Sequence, residues 1–87
     1  MPHYVYILQS LKDNRYYIGE TSDVQARLAF HNAGKQRSTR NRIPFKLVFT
    51  EEHETRQLAL AREKQIKGWS RKKKQALIAQ NFEKLKE

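Results

Sequence analysis

Tyr16-Tyr17-Ile18-Gly19-Glu20-Thr21-Ser22-Asp23-Val24-Gln25-Ala26-Arg27-Leu28-Ala29-Phe30-His31-Asn32 holds the residues that decide the architecture. Its first part, Tyr16-Tyr17-Ile18-Gly19, is aromatic and β-branched and reads as a strand. Ser22-Asp23-Val24-Gln25 then matches a capping box, with Ser22 bonding forward, Gln25 reaching back and Asp23 favourable at the positive end of the helix dipole. The helix it opens runs to about Asn32 and stops at Gly34, a residue free to take the left-handed conformation of a helix end.

Upstream, Tyr4-Val5-Tyr6-Ile7-Leu8 is a second strand signal. Lys12-Asp13-Asn14-Arg15 supplies the turn, so the two runs predict an antiparallel hairpin. Downstream, Lys35 to Arg42 is a basic polar loop, Pro44 marks its exit, and Phe45-Lys46-Leu47-Val48-Phe49-Thr50 alternates as a third strand. A second helix follows from about Thr55 to Lys67 and ends at Gly68. Ser70 caps a third helix through about Phe82. The order β-β-α-β-α-α predicts an α+β fold, a small three-stranded antiparallel sheet flanked by three helices, as a single domain over residues 1–87.

The chain carries 18 Lys plus Arg against 9 Asp plus Glu, a formal charge of +9 on 87 residues. It lacks cysteine, so neither disulfides nor thiolate–metal staples support the core. Four Tyr, four Phe and one Trp set it apart from a disordered polybasic tail. No apolar run approaches the roughly 18 residues that span a bilayer. No charged segment leads into an apolar one at the N-terminus, so a cytoplasmic protein with no membrane partner is expected. The charge points to a polyanion, nucleic acid above all, and does not separate DNA from RNA.

Arg27 and His31 lie four residues apart, on one face of the first helix, beside a stripe of Val24 and Leu28. Both charged, they would repel, which suggests an external anion such as phosphate; a solvated helix face is the alternative. In the second helix, a step of about 100° per residue puts Leu58, Ala59, Leu60, Ile66 and Trp69 across one broad half. Glu63 falls inside that half, where a carboxylate needs a cationic partner (Arg62, Lys64 or Lys67) or a metal. On the hairpin, alternation puts Tyr4 and Tyr6 on one face and Tyr16 and Tyr17 on opposite faces. These tyrosines can pack as an aromatic ladder, or accept a proton where a cation lowers the phenol's pKa. Arg71-Lys72-Lys73-Lys74 opens the third helix at the wrong end for its dipole, consistent with an external anion or a solvated run.

Taken in order, Tyr4-Val5-Tyr6, Tyr17-Ile18-Gly19, Thr21, Asp23, Arg27, His31-Asn32 and Glu63 resemble the GIY-YIG nuclease superfamily. The likeness is to its small stand-alone bacterial members, related to the nuclease module of the excision-repair nuclease. It extends through Ala61-Arg62-Glu63-Lys64-Gln65-Ile66-Lys67-Gly68-Trp69. Two departures stand out: Tyr4 replaces the glycine of the first motif, and the polar residue after the acidic helix has only Asn81 as a counterpart.

The resemblance implies an endonuclease that hydrolyses DNA phosphodiesters with one Mg²⁺ or Mn²⁺, in repair or recombination. It assigns Glu63 to the metal. Arg27 goes to the transition-state phosphoryl group, Tyr6 or Tyr17 to the proton of the attacking water, and His31 to assisting it. Gly19 would let phosphate approach the hairpin closely. Lys35, Arg37, Arg40 and Arg42 in the loop, with Arg71, Lys72, Lys73 and Lys74, would track the DNA backbone. Recognition would run through phosphates and shape, with little sequence preference. The alternatives are a nucleic-acid-binding module of the same fold with little or no catalysis, and an adaptor that meets an acidic protein.

Overall fold

Strand β1 (His3–Ser10) is the middle strand of a three-stranded antiparallel sheet, between β2 (Tyr16–Thr21) and β3 (Phe45–His53). The computed structural model describes the backbone of residues 1–86 and the side chains of residues 1–80, so Asn81 and Phe82 lie outside the described side chains. Val5, Tyr6, Ile7 and Leu8 are all buried, because helices cover both faces of the central strand and neither set of alternate side chains meets solvent. That is why the run is apolar without alternation.

On one face, Val5, Ile7, Ile18 and Phe49 pack with Ala59 and Ile66 of helix α2 (Arg56–Lys67). Leu77 and Ile78 of helix α3 (Arg71–Lys86) close the same cluster. On the other face, Tyr6, Leu8 and Phe45 pack with Tyr17, Ile43 and Leu47, and with Leu28 of helix α1 (Val24–Asn32). Each fully buried aliphatic side chain contributes roughly 1.5–3 kcal/mol. A β-bulge joins the two cores: Ile7 pairs with Phe49 and Leu8 with Leu47, so Val48 is the extra residue of β3. Val48 thereby packs with the α2 side while Leu47 packs with the α1 side.

The predicted order and fold class hold, with local corrections. Asp23, not Ser22, is the N-cap of α1: its carboxylate accepts the Ala26 N–H at 3.0 Å, and Thr21 Oγ1 accepts the Asp23 N–H at 3.1 Å. Thr21 ends β2 in a turn that shifts the cap by one residue. Strand β3 runs on to His53, so Glu51 and Glu52 belong to the sheet and pair with Val5 and Tyr4. The broad apolar half read onto α2 is narrower: Leu58 and Leu60 are 53% and 40% exposed, and only Ala59 and Ile66 are buried. Gly34 takes φ +74°, as a helix stop requires, and Asn14 takes φ +63° in the hairpin turn.

Candidate active site

Chemistry collects on the α1 face of the sheet. Tyr6 and Gly19 are cross-strand partners, as are Leu8 and Tyr17, so Tyr6, Gly19 and Tyr17 share this face. The imidazole of His31, on the last turn of α1, is buried over them. Its Nε2 lies 3.2 Å from Tyr6 Oη, and its Nδ1 lies 2.9 Å from Thr39 Oγ1. The Tyr17 ring leans on the imidazole with centroids 4.8 Å apart. Asn32 anchors the same helix end to edge strand β3, donating to Phe45 O at 3.1 Å and accepting the Phe45 N–H at 2.7 Å.

Burial is the main force on both titratable groups. It pushes the Tyr6 phenol well above the ordinary tyrosine value, helped by Tyr17, Glu63 and Glu20 and opposed by Arg27. His31 is lowered by burial first and by the Arg27 guanidinium second. At neutral pH the pair is therefore a protonated phenol and a neutral imidazole. The expected repulsion between two cations at Arg27 and His31 does not arise, since the fold keeps His31 uncharged. Arg27 is half-buried, with its guanidinium 5.4 Å from the Phe30 ring centroid. No carboxylate among the described residues pairs with it. Thr21, Asp23, Ala26, Arg27 and Phe30 line a shallow cleft of about 260 Å³ beside it.

Glu63 comes from α2, on the other side of the sheet, yet its charge reaches Tyr6. Its side chain is 16% exposed and is paired with Lys67 at 3.3 Å, one of the three cations named from the sequence. Arg62 turns away instead, donating through Nε to Glu51 at 3.0 Å and lying over the Trp69 ring. A second carboxylate near the hairpin, Glu20, is engaged by His3 at 2.8 Å and Arg56 at 3.5 Å. No group of three His, Cys, Asp or Glu side chains among the described residues could hold a metal, so Glu63 would serve as a single carboxylate ligand.

Gly19 has a different neighbour from the one expected. The space its side chain would fill is occupied by the Tyr6 phenol, not left open for phosphate: a Cβ there would sit 2.5 Å from Tyr6 Cζ and closer still to Oη. The absence of a side chain at position 19 leaves room for the Tyr6 phenol. Gly19→Ala is expected to swing Tyr6 off His31, cost about 1–3 kcal/mol by overpacking, and lower the melting temperature by roughly 4–8 °C per kcal/mol. The tyrosine titration of the variant checks the displacement of Tyr6, and thermal melting checks the loss of stability.

The cations divide into free and tethered. Lys35, Arg37 and Arg40 are exposed on the loop after α1; Arg42 is half-buried, with its Nε lacking an acceptor among the described residues. Arg71 is tethered, donating to the Asn14 carbonyl at 2.8 Å and lying 4.5 Å from the Tyr16 ring centroid. Lys73 sits 4.3 Å from the Trp69 centroid. These internal partners hold two of the charges at the start of α3. Lys72 is exposed and Lys74 half-buried.

Residues 2–76 match the GIY-YIG catalytic domain. The chain belongs to the GIY-YIG family. A UPF0213 protein of Natronomonas pharaonis is 45% identical over 78 residues, which cover 88% of this chain and 91% of that one. Another, from Staphylococcus haemolyticus, is 46% identical over 77 residues, covering 87% and 93%. The solution NMR structure of the UPF0213 protein from Bacillus halodurans has a TM-score of 0.58 at 42% identity, covering 91% of this chain and 84% of that one. The GIY-YIG domain is of nuclease type, and its substrate class is nucleic acid. In this GIY-YIG chain the two half-motifs are β1 and β2 themselves, paired so that Tyr6 faces Gly19. Tyr4, in place of the first glycine, pairs with Thr21 and lines a cleft with Val24 and Leu47.

Of two further residues that shape the site, one carried no signal in the sequence and the other none beyond its place in a motif. Thr39 is buried in a stretch that reads as a solvated basic loop. Asn32 was legible only as part of a motif. Neither periodicity nor charge marks a polar residue whose partner is brought to it by the fold.

Proposed function

We propose that this GIY-YIG protein is a divalent-metal-dependent endonuclease acting on DNA. The observation that carries the reading is the Tyr6 Oη–His31 Nε2 hydrogen bond, between a phenol held protonated and an imidazole held neutral. A phenol in that state is no base alone. Bonded to a neutral imidazole, it can take a proton from the attacking water while handing its own to Nε2, so no free phenolate is needed. Tyr17, whose tilted ring packs against the imidazole, helps hold it in place. Arg27, with no carboxylate partner, is available to the charge that develops on the phosphoryl group.

Glu63 would hold one Mg²⁺ or Mn²⁺. A single carboxylate, with its remaining sites filled by waters and substrate phosphate, suits Mg²⁺, and the Lys67 ammonium paired with it sits on a flexible, half-exposed stem that can move away. A bound ion would polarise the scissile phosphate and offset the Glu63 charge, which disfavours ionisation of Tyr6. Lys35, Arg37 and Arg40 would contact phosphates, which fix register without reading bases.

The test is nicking of supercoiled plasmid by purified protein with Mg²⁺, with Mn²⁺ and with chelator, across pH. Nicking should require metal. Its rate should fall on acidification with a midpoint below the ordinary histidine value of about 6.5, because burial and Arg27 lower the pKa of His31. Cleavage that persists in chelator would remove the metal from the mechanism, and tight DNA binding without cleavage on any substrate would make the protein a binding module.

A further inference from the structure

We propose that Thr39 is a positioning residue that locks His31 in the Nδ1–H tautomer, so that Nε2 presents a lone pair to the Tyr6 phenol. A neutral imidazole carries one proton on two nitrogens, and the bond made by one nitrogen decides the role of the other. Here both nitrogens are engaged inside the protein, Nδ1 with Thr39 Oγ1 at 2.9 Å and Nε2 with Tyr6 Oη at 3.2 Å. A threonine hydroxyl can donate or accept, so its own proton settles the direction. That proton has an acceptor in the Gln36 carbonyl, at 3.4 Å, which leaves the Oγ1 lone pairs for Nδ1–H.

The other end agrees. Tyr6 is 3% exposed, and its hydroxyl is hydrogen-bonded to His31. In the Nε2–H tautomer two donors would meet, or the phenol proton would have to turn away from the imidazole and lose its acceptor, which is costly for a buried donor. The chain therefore runs one way, from Tyr6 O–H to Nε2, from Nδ1–H to Thr39 Oγ1, and from the Thr39 hydroxyl to Gln36 O. Thr39 is fully buried, and a residue on the loop of exposed cations thus reaches into the proton path.

The inference deepens the endonuclease reading by naming what orients its proton acceptor, and it is tested without relying on that reading. The measurement is ¹⁵N NMR of the His31 ring above pH 7.5, where protonated and unprotonated ring nitrogens have well-separated shifts. The native protein should show a protonated Nδ1 and an unprotonated Nε2. Thr39→Val, similar in shape but without an acceptor, should lose this preference and populate Nε2–H; Thr39→Ser should keep it. In the metal-dependent nicking assay Thr39→Val should fall by roughly 10–100-fold, the scale on which partners behind a functional histidine act, and Thr39→Ser should recover most of it. A native Nε2–H tautomer overturns the proposal, as does an unchanged tautomer in folded Thr39→Val. If Thr39→Val does not fold, the native and Thr39→Ser spectra decide. Predicted tautomers in a protein that cuts nothing would uphold the Thr39 lock and reject the nuclease reading.

Discussion

Glu63→Gln is expected to leave a folded protein that binds DNA but has lost metal-dependent nicking by on the order of 10²–10³-fold. The substitution keeps shape and removes the charge that would hold the ion, and metal stabilisation of a phosphoryl transfer amounts to several kcal/mol, with each 1.36 kcal/mol a factor of ten. Its structural cost is small. The Glu63–Lys67 contact at 3.3 Å spans one helical turn with a half-exposed lysine, and such pairs contribute only about 0.3–0.5 kcal/mol. A second readout separates charge from fold: the Tyr6 phenol should titrate at lower pH in the variant, because Glu63 is one of the charges that raise it. Normal nicking by Glu63→Gln would sink the metal assignment.

Arg27→Ala is expected to lose cleavage by on the order of 10²–10³-fold, the cost of one transition-state donor, while DNA affinity and its salt dependence change little. The salt slope counts phosphate contacts, and on the proposed reading those would come from the exposed loop cations; Arg27 is half-buried beside Phe30. Loss of that ring contact costs about 0.5–1 kcal/mol, so melting must first show a folded variant. The acid limb of the residual activity should move up toward the ordinary histidine value, since the Arg27 charge is one of the two causes that lower His31. Arg27→Lys should restore the acid limb more fully than the rate, because an ammonium supplies charge without the planar fork of donors. Equal losses of binding and cutting in folded Arg27→Ala would show that the residue binds and does not act on the transition state.

How far the site was legible depends on what each residue's neighbours are. Tyr6, Tyr17 and Gly19 lie on strands whose period of two puts them on one face once the hairpin register is set, and His31 follows from Arg27 by one helical turn. Arg71 was legible as a charge and not as a tether, because its acceptor, Asn14 O, lies 57 residues earlier in the chain.

By itself the sequence determined the element order, the β1–β2 hairpin, the α1 helix that carries Arg27 and His31, and the GIY-YIG family. All of these rest on local signals: apolar runs, turn residues and motif spacing. Only the tertiary structure decided that Asp23 caps α1, that the Tyr6 phenol fills the space over Gly19, that His31 is neutral, and that Thr39 stands behind it. Each of these depends on what surrounds a polar group after burial. Desolvation and hydrogen-bond direction are properties of that packed environment, and no spacing along the chain encodes them.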